Sequence, residues 1–345
     1  MRYRLALTSD LQDCAALLPN AFKASAGVRA RLPELWQRLI EVNAPNVIVI
    51  EDEGGLEGCA ISAHVSGAFV DEALAEPKPH LSARFYEQML AGRSVLSTPA
   101  EVRRANSSAG LNLLVLHFGL LDHDLSSERT RAALRSGSQA FYFFNGGYRY
   151  KLLVNEVYGR QAAEYMQAGG FRVLHEFERH GDAPADRSFL MGLRKEWVSM
   201  GAINEMGFLF DPPAPRFGFT PGEQRVLLRA MLTESDAEIA EHLGVSLDSV
   251  KKTWRRVFDR ATSVAPYLFA AEGTGAGGGR SRGGVEARGS RSRARARSEQ
   301  ARGSEKRRYL LDYLRLHLEE LRPHDTRPAG NGVRADLSRP SRSRA

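Results

Sequence analysis

The sequence predicts two kinds of fold in one chain: an α+β domain with a mostly antiparallel sheet over residues 1–198, and an all-α unit of three short helices over 219–262. Three observations predict it. Strand-like and helix-like hydrophobic periods alternate up to residue 198, whereas from 219 onward only the three- and four-residue spacing of helices remains. Between the two, in a linker over 199–218, Pro212, Pro213 and Pro215 can continue neither a helix nor a central strand. After the helices, residues 272–306 are almost wholly Gly, Ser, Ala, Arg and Glu, with too little to bury, and disorder is expected. A terminal helix over 307–322 follows, because Leu310, Leu314, Leu318 and Leu321 share one face.

Composition narrows the function classes. The 345 residues are 43% apolar, enough for a sizeable core and about two domains. The net charge is +7, but residues 280–308 alone hold eleven Lys or Arg against three Glu, so the rest is near neutral and the basic pI belongs to one segment. No apolar run approaches a membrane span. Cys14 and Cys59, in a chain with no apolar signal segment, fit a reducing cytoplasm rather than a disulfide framework. The nine histidines show no paired metal spacing, so neither metal nor cofactor is expected. Arg outnumbers Lys 41 to 7, a compositional hint of a GC-rich bacterial genome.

In chain order, RLALTSDLQDCAALLPNAF reads as a short strand and a helix starting near Ser9. NVIVIEDEGGLEGCAISAHV gives two strands around the turn at 53–55. LNLLVLHFGL, residues 111–120, is a buried-strand run. FYFFNGGYRYKLLV sets aromatic residues about Asn145-Gly146, the preferred dipeptide of a tight hairpin. YGRQAAEYMQAGGFRVLHEF then reads as helix, glycine stop and strand.

The three later helices carry their own start signals. Thr220 with Pro221 and Glu223, and Ser235 with Glu238, are capping boxes; Gly244 ends the second helix and Ser246 caps the third. On the third helix Val250, Trp254, Val257 and Phe258 form the apolar stripe, leaving Lys251, Lys252, Arg255 and Arg256 outward. That layout is a helix-turn-helix, whose last helix enters the major groove of double-stranded DNA. A small bundle with a solvated basic face is the plainer reading of the same charges.

FTPGEQRVLL, AEIAEHLGVS and SVKKTWRRVFDR resemble the LuxR-type helix-turn-helix over about 45 residues. The resemblance implies that Lys251, Lys252 and Arg255 face base edges, with Ser246, Ser249 and Arg256 on phosphates. It departs in the first turn, where Thr233 or Glu234 stands in place of the usual glycine. Over residues 1–180 the order of elements is similar to the GNAT acyltransferase superfamily. That resemblance implies a coenzyme A diphosphate on a glycine-rich loop after the fourth strand. Here that loop reads LLDHDLSSER, with Asp122 and Asp124 and no glycine pair. It also implies a tyrosine acid in the late helix; Tyr165 is the candidate, although it lies one residue out of register and a core-packing role is the expected one. Glu156 and His117 are candidate bases, with a core role expected for His117.

Together these readings lead to one expectation: a sequence-specific DNA-binding transcriptional regulator without enzymatic activity, cytoplasmic and nucleoid-associated. It would be a homodimer through the terminal helix, with a catalytically degenerate acyltransferase-like domain sensing a small acyl ligand or a protein. The alternative is an acyl-CoA-dependent N-acyltransferase carrying a DNA-binding domain.

Overall fold

The computed structural model describes residues 1–18, 22–122, 124, 126–177, 187–198, 207–272 and 305–324. Most of the 272–306 segment and the first part of the 199–218 linker therefore lie outside the described residues. Elements follow in the order β1 (Arg2–Leu5), α1 (Leu11–Ala16), α2 (Ala26–Ala30), α3 (Leu32–Val42), β2 (Val47–Asp52) and β3 (Gly55–Val65). Next come α4 (Gly67–Ala75), α5 (Leu81–Leu90), α6 (Pro99–Asn106), β4 (Leu111–Leu120), α7 (Glu128–Asn145) and β5 (Tyr150–Tyr158). The domain closes with α8 (Arg160–Ala168), β6 (Arg172–Phe177), β7 (Ser188–Arg194) and α9 (Lys195–Val198). Then follow α10 (Pro221–Met231), α11 (Asp236–Leu243), α12 (Leu247–Val264) and a helix over 305–316, here α13.

Among the described residues seven strands form one sheet in the order β1-β2-β3-β4-β5-β7-β6. Every neighbouring pair is antiparallel except β4 and β5, which are parallel. A parallel pair needs a crossover, and α7 supplies it. One face of the sheet is covered by α1 to α5, with Trp36, Leu39 and Phe85 meeting Val49, Ile61, Leu114 and Val154. On the other face α7 lies over β1 to β3, where Ala140 and Phe144 meet Leu5 and Ile48. On that same face α8 lies over β5 to β7, with Ala163 in a cluster with Leu153, Phe189 and Met191.

The hairpin expected at Asn145-Gly146 is not formed. Residues 141–144 belong to α7, Asn145 ends it, and Gly147 at φ 81° turns the chain into β5. Their β-forming aromatic character is overridden because Ala140 and Phe144, one helical turn apart, both reach the sheet. The three helices between β3 and β4 went unread in the sequence.

The second core joins α10, α11, α12 and α13 through Leu227, Ile239, Val250, Trp254, Val257, Leu310 and Leu314. Thr220 and Ser235 cap α10 and α11 in reciprocal boxes with Glu223 and Glu238, and Gly244 leaves α11 at φ 62°. Thr233, where a glycine is usual in the resembling family, takes a left-handed φ of 66°, which is strained for a β-branched residue. The apolar face of α13 is spent inside this chain: Leu310 and Leu314 are fully buried, each contributing about 1.5–3 kcal/mol. A dimer contact built on that face is therefore not available to a second copy.

Candidate functional site

The parallel pair decides where a site can form. Its ladder runs from Leu111↔Tyr150 to Val115↔Asn155 and stops, although β4 continues to Leu120 and β5 to Tyr158. The cause is a bulge on β4: Ile61 pairs with His117 and Ser62 with Val115, so Leu116 is the extra residue. Its carbonyl accepts a bond from the Ser82 hydroxyl at 2.8 Å instead of joining the ladder to β5. Beyond this rung the two strand edges face one another without ladder bonds, and the helices on one face diverge, α7 toward β1 and α8 toward β6. A crevice at the carboxyl ends of two parallel strands, where connections leave in opposite directions, is the general ligand position of open α/β sheets.

The side chains around it have distinct states. Asn155, on the last rung, is 6% exposed and its Oδ1 has no hydrogen-bond partner among the described residues. Glu156 accepts bonds from the backbone N–H groups of His80 at 3.0 Å and Leu81 at 2.6 Å, capping α5 with a carboxylate. With both oxygens held, it serves as a cap rather than a free base. His117 is buried against Phe22, stacks on Tyr86, and is pushed down to about 3 by burial, so its imidazole is neutral at physiological pH. It is enclosed as a core residue, although its Nε2 has no hydrogen-bond partner among the described residues. Tyr86 is in turn held by a bond from the Trp36 indole N–H at 2.8 Å.

Where β4 ends, the chain turns through Asp122 and Asp124 into α7. Asp122 Oδ1 accepts from the Asp124 N–H and Asp124 Oδ1 from the Ser126 N–H, each at 2.9 Å, while the Ser127 hydroxyl caps Thr130. Arg129, in the first turn of α7, is held by both carboxylate oxygens of Glu57 and lies 3.7 Å from Asp52. The Asp124 and Ser126 N–H groups and the Arg129 guanidinium are thus engaged by carboxylates of the protein.

Tyr165 is 59% exposed, about 200° around α8 from the buried Ala163. It is neither the packed core residue expected nor turned toward the sheet. At the other end of the chain, Lys251, Lys252, Arg255 and Arg256 are exposed on α12 as expected from their spacing. Lys252 pairs with Asp248 at 2.8 Å, Arg256 donates to Thr253 Oγ1, and Ser246 caps the helix by accepting from the Ser249 N–H at 3.2 Å. Trp254 is a core residue whose indole N–H donates to Asp236.

A second hollow, of about 130 Å³, lies at the opposite end of the sheet between His64, Ser97, Val102, Tyr148, Pro221 and Pro323. It is smaller than the roughly 300 Å³ at which ordinary ligand pockets begin. Among the described residues no cluster of His, Cys, Asp and Glu could hold a metal, and no helix is long and apolar enough to cross a membrane.

No protein-family model and no curated protein matches the chain. Similar solved structures exist for its amino-terminal part. Naa20 of Chaetomium thermophilum, in complex with a bisubstrate analogue, is 12% identical with a TM-score of 0.35, covering 61% of this chain and 95% of that one. The loading GNATL domain of CurA from Lyngbya majuscula is 11% identical with a TM-score of 0.36, covering 56% and 96%. FeeM, an N-acyl amino acid synthase from uncultured soil microbes, is 12% identical with a TM-score of 0.33, covering 58% and 94%. The amino-terminal part has a mixed, mostly antiparallel sheet and is similar in fold to these structures. Two expectations are corrected, the DNA-binding transcriptional regulator and the absence of enzymatic activity: the similar structures named above are a complex with a bisubstrate analogue, a loading GNATL domain and an N-acyl amino acid synthase rather than DNA-binding proteins. The ordered caps, Gly244 and motif blocks over 219–262 carried the first expectation, and the exposed Lys and Arg of α12, which any solvated helix presents, do not by themselves sustain it.

Proposed function

We propose that the protein is an N-acyltransferase that takes its acyl group from a thioester held in the crevice between β4 and β5. The observation that carries this reading is the parallel ladder that stops at Val115↔Asn155 within a sheet whose other pairs are antiparallel. Open backbone edges in a covered sheet require partners. An extended thioester with amide groups supplies them on both sides and sets its carbonyl between two rigid strands. In the transfer, the nitrogen of an acceptor amine attacks the thioester carbon, a C–N bond forms, the C–S bond breaks, and the amine proton leaves as the thiol departs. Ser82 positions this geometry by holding Leu116 in the bulge. No described carboxylate or imidazole at the crevice is free to act as base, since Glu156 caps α5 and His117 is enclosed. An acceptor entering as the free amine fits that surrounding.

The capped helices and Gly244 support reading α10 to α12 as a helix-turn-helix in shape, here an accessory unit docked on the enzyme. The test is calorimetric titration with acetyl-CoA and with S-acetylpantetheine, followed by thiol release in the presence of a panel of primary amines. Binding of either thioester with amine-dependent release is expected. No binding of either up to millimolar concentration overturns the proposal.

A further inference from the structure

We infer that the acyl donor is recognised without a diphosphate anchor, through its acyl and pantetheine parts alone. This inference rests on the function proposed above and names the donor class for the same crevice. The amino end of α7 follows β4 by a short turn, so it opens at the mouth of the crevice. An 18-residue helix presents free N–H groups and a positive dipole end there, the ready-made setting for a phosphate. In this chain the setting is partly filled from within: Asp122 accepts the Asp124 N–H, Asp124 that of Ser126, and Ser127 that of Thr130. Asp124 Oδ1 and Oδ2 also accept from the Ser126 hydroxyl.

Charge acts in the same direction. Asp52, Glu57, Asp122, Asp124 and Glu128 gather around this helix end. Arg129, the cation in the first turn, is held by Glu57, and Arg131 and Arg135 are held by Glu128. A diphosphate brought to the amino end of α7 meets carboxylates at close range, with the guanidinium groups of Arg129, Arg131 and Arg135 engaged. A pantetheine thioester meets no such opposition, because its amides and thioester are neutral and suit the open strand edges.

The experiment compares dissociation constants of acetyl-CoA and S-acetylpantetheine for the full chain at low and at about 0.5 M salt. The same comparison is made for Asp122→Asn/Asp124→Asn. The wild type is expected to bind the two thioesters within about threefold of each other. Neutralising the pair should tighten acetyl-CoA by about three- to tenfold at low salt, with the gain lost at high salt and S-acetylpantetheine unaffected. A wild-type preference above tenfold for acetyl-CoA overturns the inference while leaving an acyltransferase in place. Neither thioester binding overturns the proposed function and this inference together. The wild-type comparison stands by itself if the double variant does not fold.

Discussion

The two ends of the β4–β5 pair are built in opposite ways. At the carboxyl end the ladder stops, Asn155 Oδ1 is buried without a hydrogen-bond partner among the described residues, and a turn of carboxylates leads into α7. At the amino end the carboxy-terminal segment Leu318–His324 closes over Gly147 and Tyr148. Arg322, 1% exposed, donates Nε to the Gly146 carbonyl at 2.7 Å and Nη2 to that of Phe143, and sits over the Tyr148 ring. The Glu320 carboxylate accepts the N–H groups of Arg216 and Phe217, Gln224 donates to the Glu320 and Arg322 carbonyls, and Asn106 donates to that of Pro323. A side chain at Gly147 would fall on the backbone of Leu318 and Glu319. One end is closed by the chain itself and fastens the helical unit to the sheet; the other leaves strand edges for something else. The proposed function places stability at the first and ligand binding at the second.

The strongest test of that division is Arg322→Met. It orphans two buried carbonyls and should cost about 3 kcal/mol, read as lowered thermal stability and early proteolysis between α9 and α10. Thioester binding by the remaining sheet should persist; its loss at native temperature would mean that the two ends are not separable. The same variant sharpens the picture through His64, whose imidazole is pushed down to about 4, first by burial and then by the Arg322 charge. Its titration, followed by NMR, should move up when the guanidinium is gone.

Acid should act on both ends together. His64 and His117 are held near 4 and 3 in the folded chain, below the 6.5 of an unfolded histidine. The unfolded state therefore binds more protons between these values, and stability present above pH 6.5 is lost as pH falls through this window. At pH 5 each histidine should cost about 2 kcal/mol relative to pH 8. Chemical denaturation across that range should show the slope, and His117→Phe should remove about half of it. An unchanged slope in that variant would contradict the buried neutral imidazole.

A smaller effect is expected from Ser82→Ala. Releasing the Leu116 carbonyl should cost about 1 kcal/mol of stability and weaken thioester binding more than that loss alone explains. If stability falls and binding does not, the bulge is a packing feature only. The smallest is Tyr165→Phe, where the hydroxyl is exposed on the outer face of α8. No change in thiol release is expected, and a rate drop above tenfold would place this residue at the crevice after all.

Much of the architecture was legible because it is written in local signals. Residues 47–65 as two strands about a turn, the strand at 111–120, the caps at Thr220, Ser235 and Ser246 and the stop at Gly244 each depend on residues within a few positions. The acidic turn after β4 was legible too, because charge is read directly from residue type. The aromatic run 141–144 was misread because its neighbours across the sheet, rather than its own β propensity, decide its form. The α13 leucines were seen to share a face, yet which surface covers that face is set by residues some 80 positions away.

By itself, then, the sequence determined the two fold types, the helix ends and the charge of the loops, since periodicity, caps and glycines act over one or two turns. Tertiary structure alone decided that β4 and β5 run parallel and part beyond Val115↔Asn155, that Glu156 caps α5, and that Arg322 lies buried against the Tyr148 ring. Those facts depend on which distant segments meet. Pairing across a crossover and the desolvation of a charge are properties of the assembled core, and no short window of residues contains them.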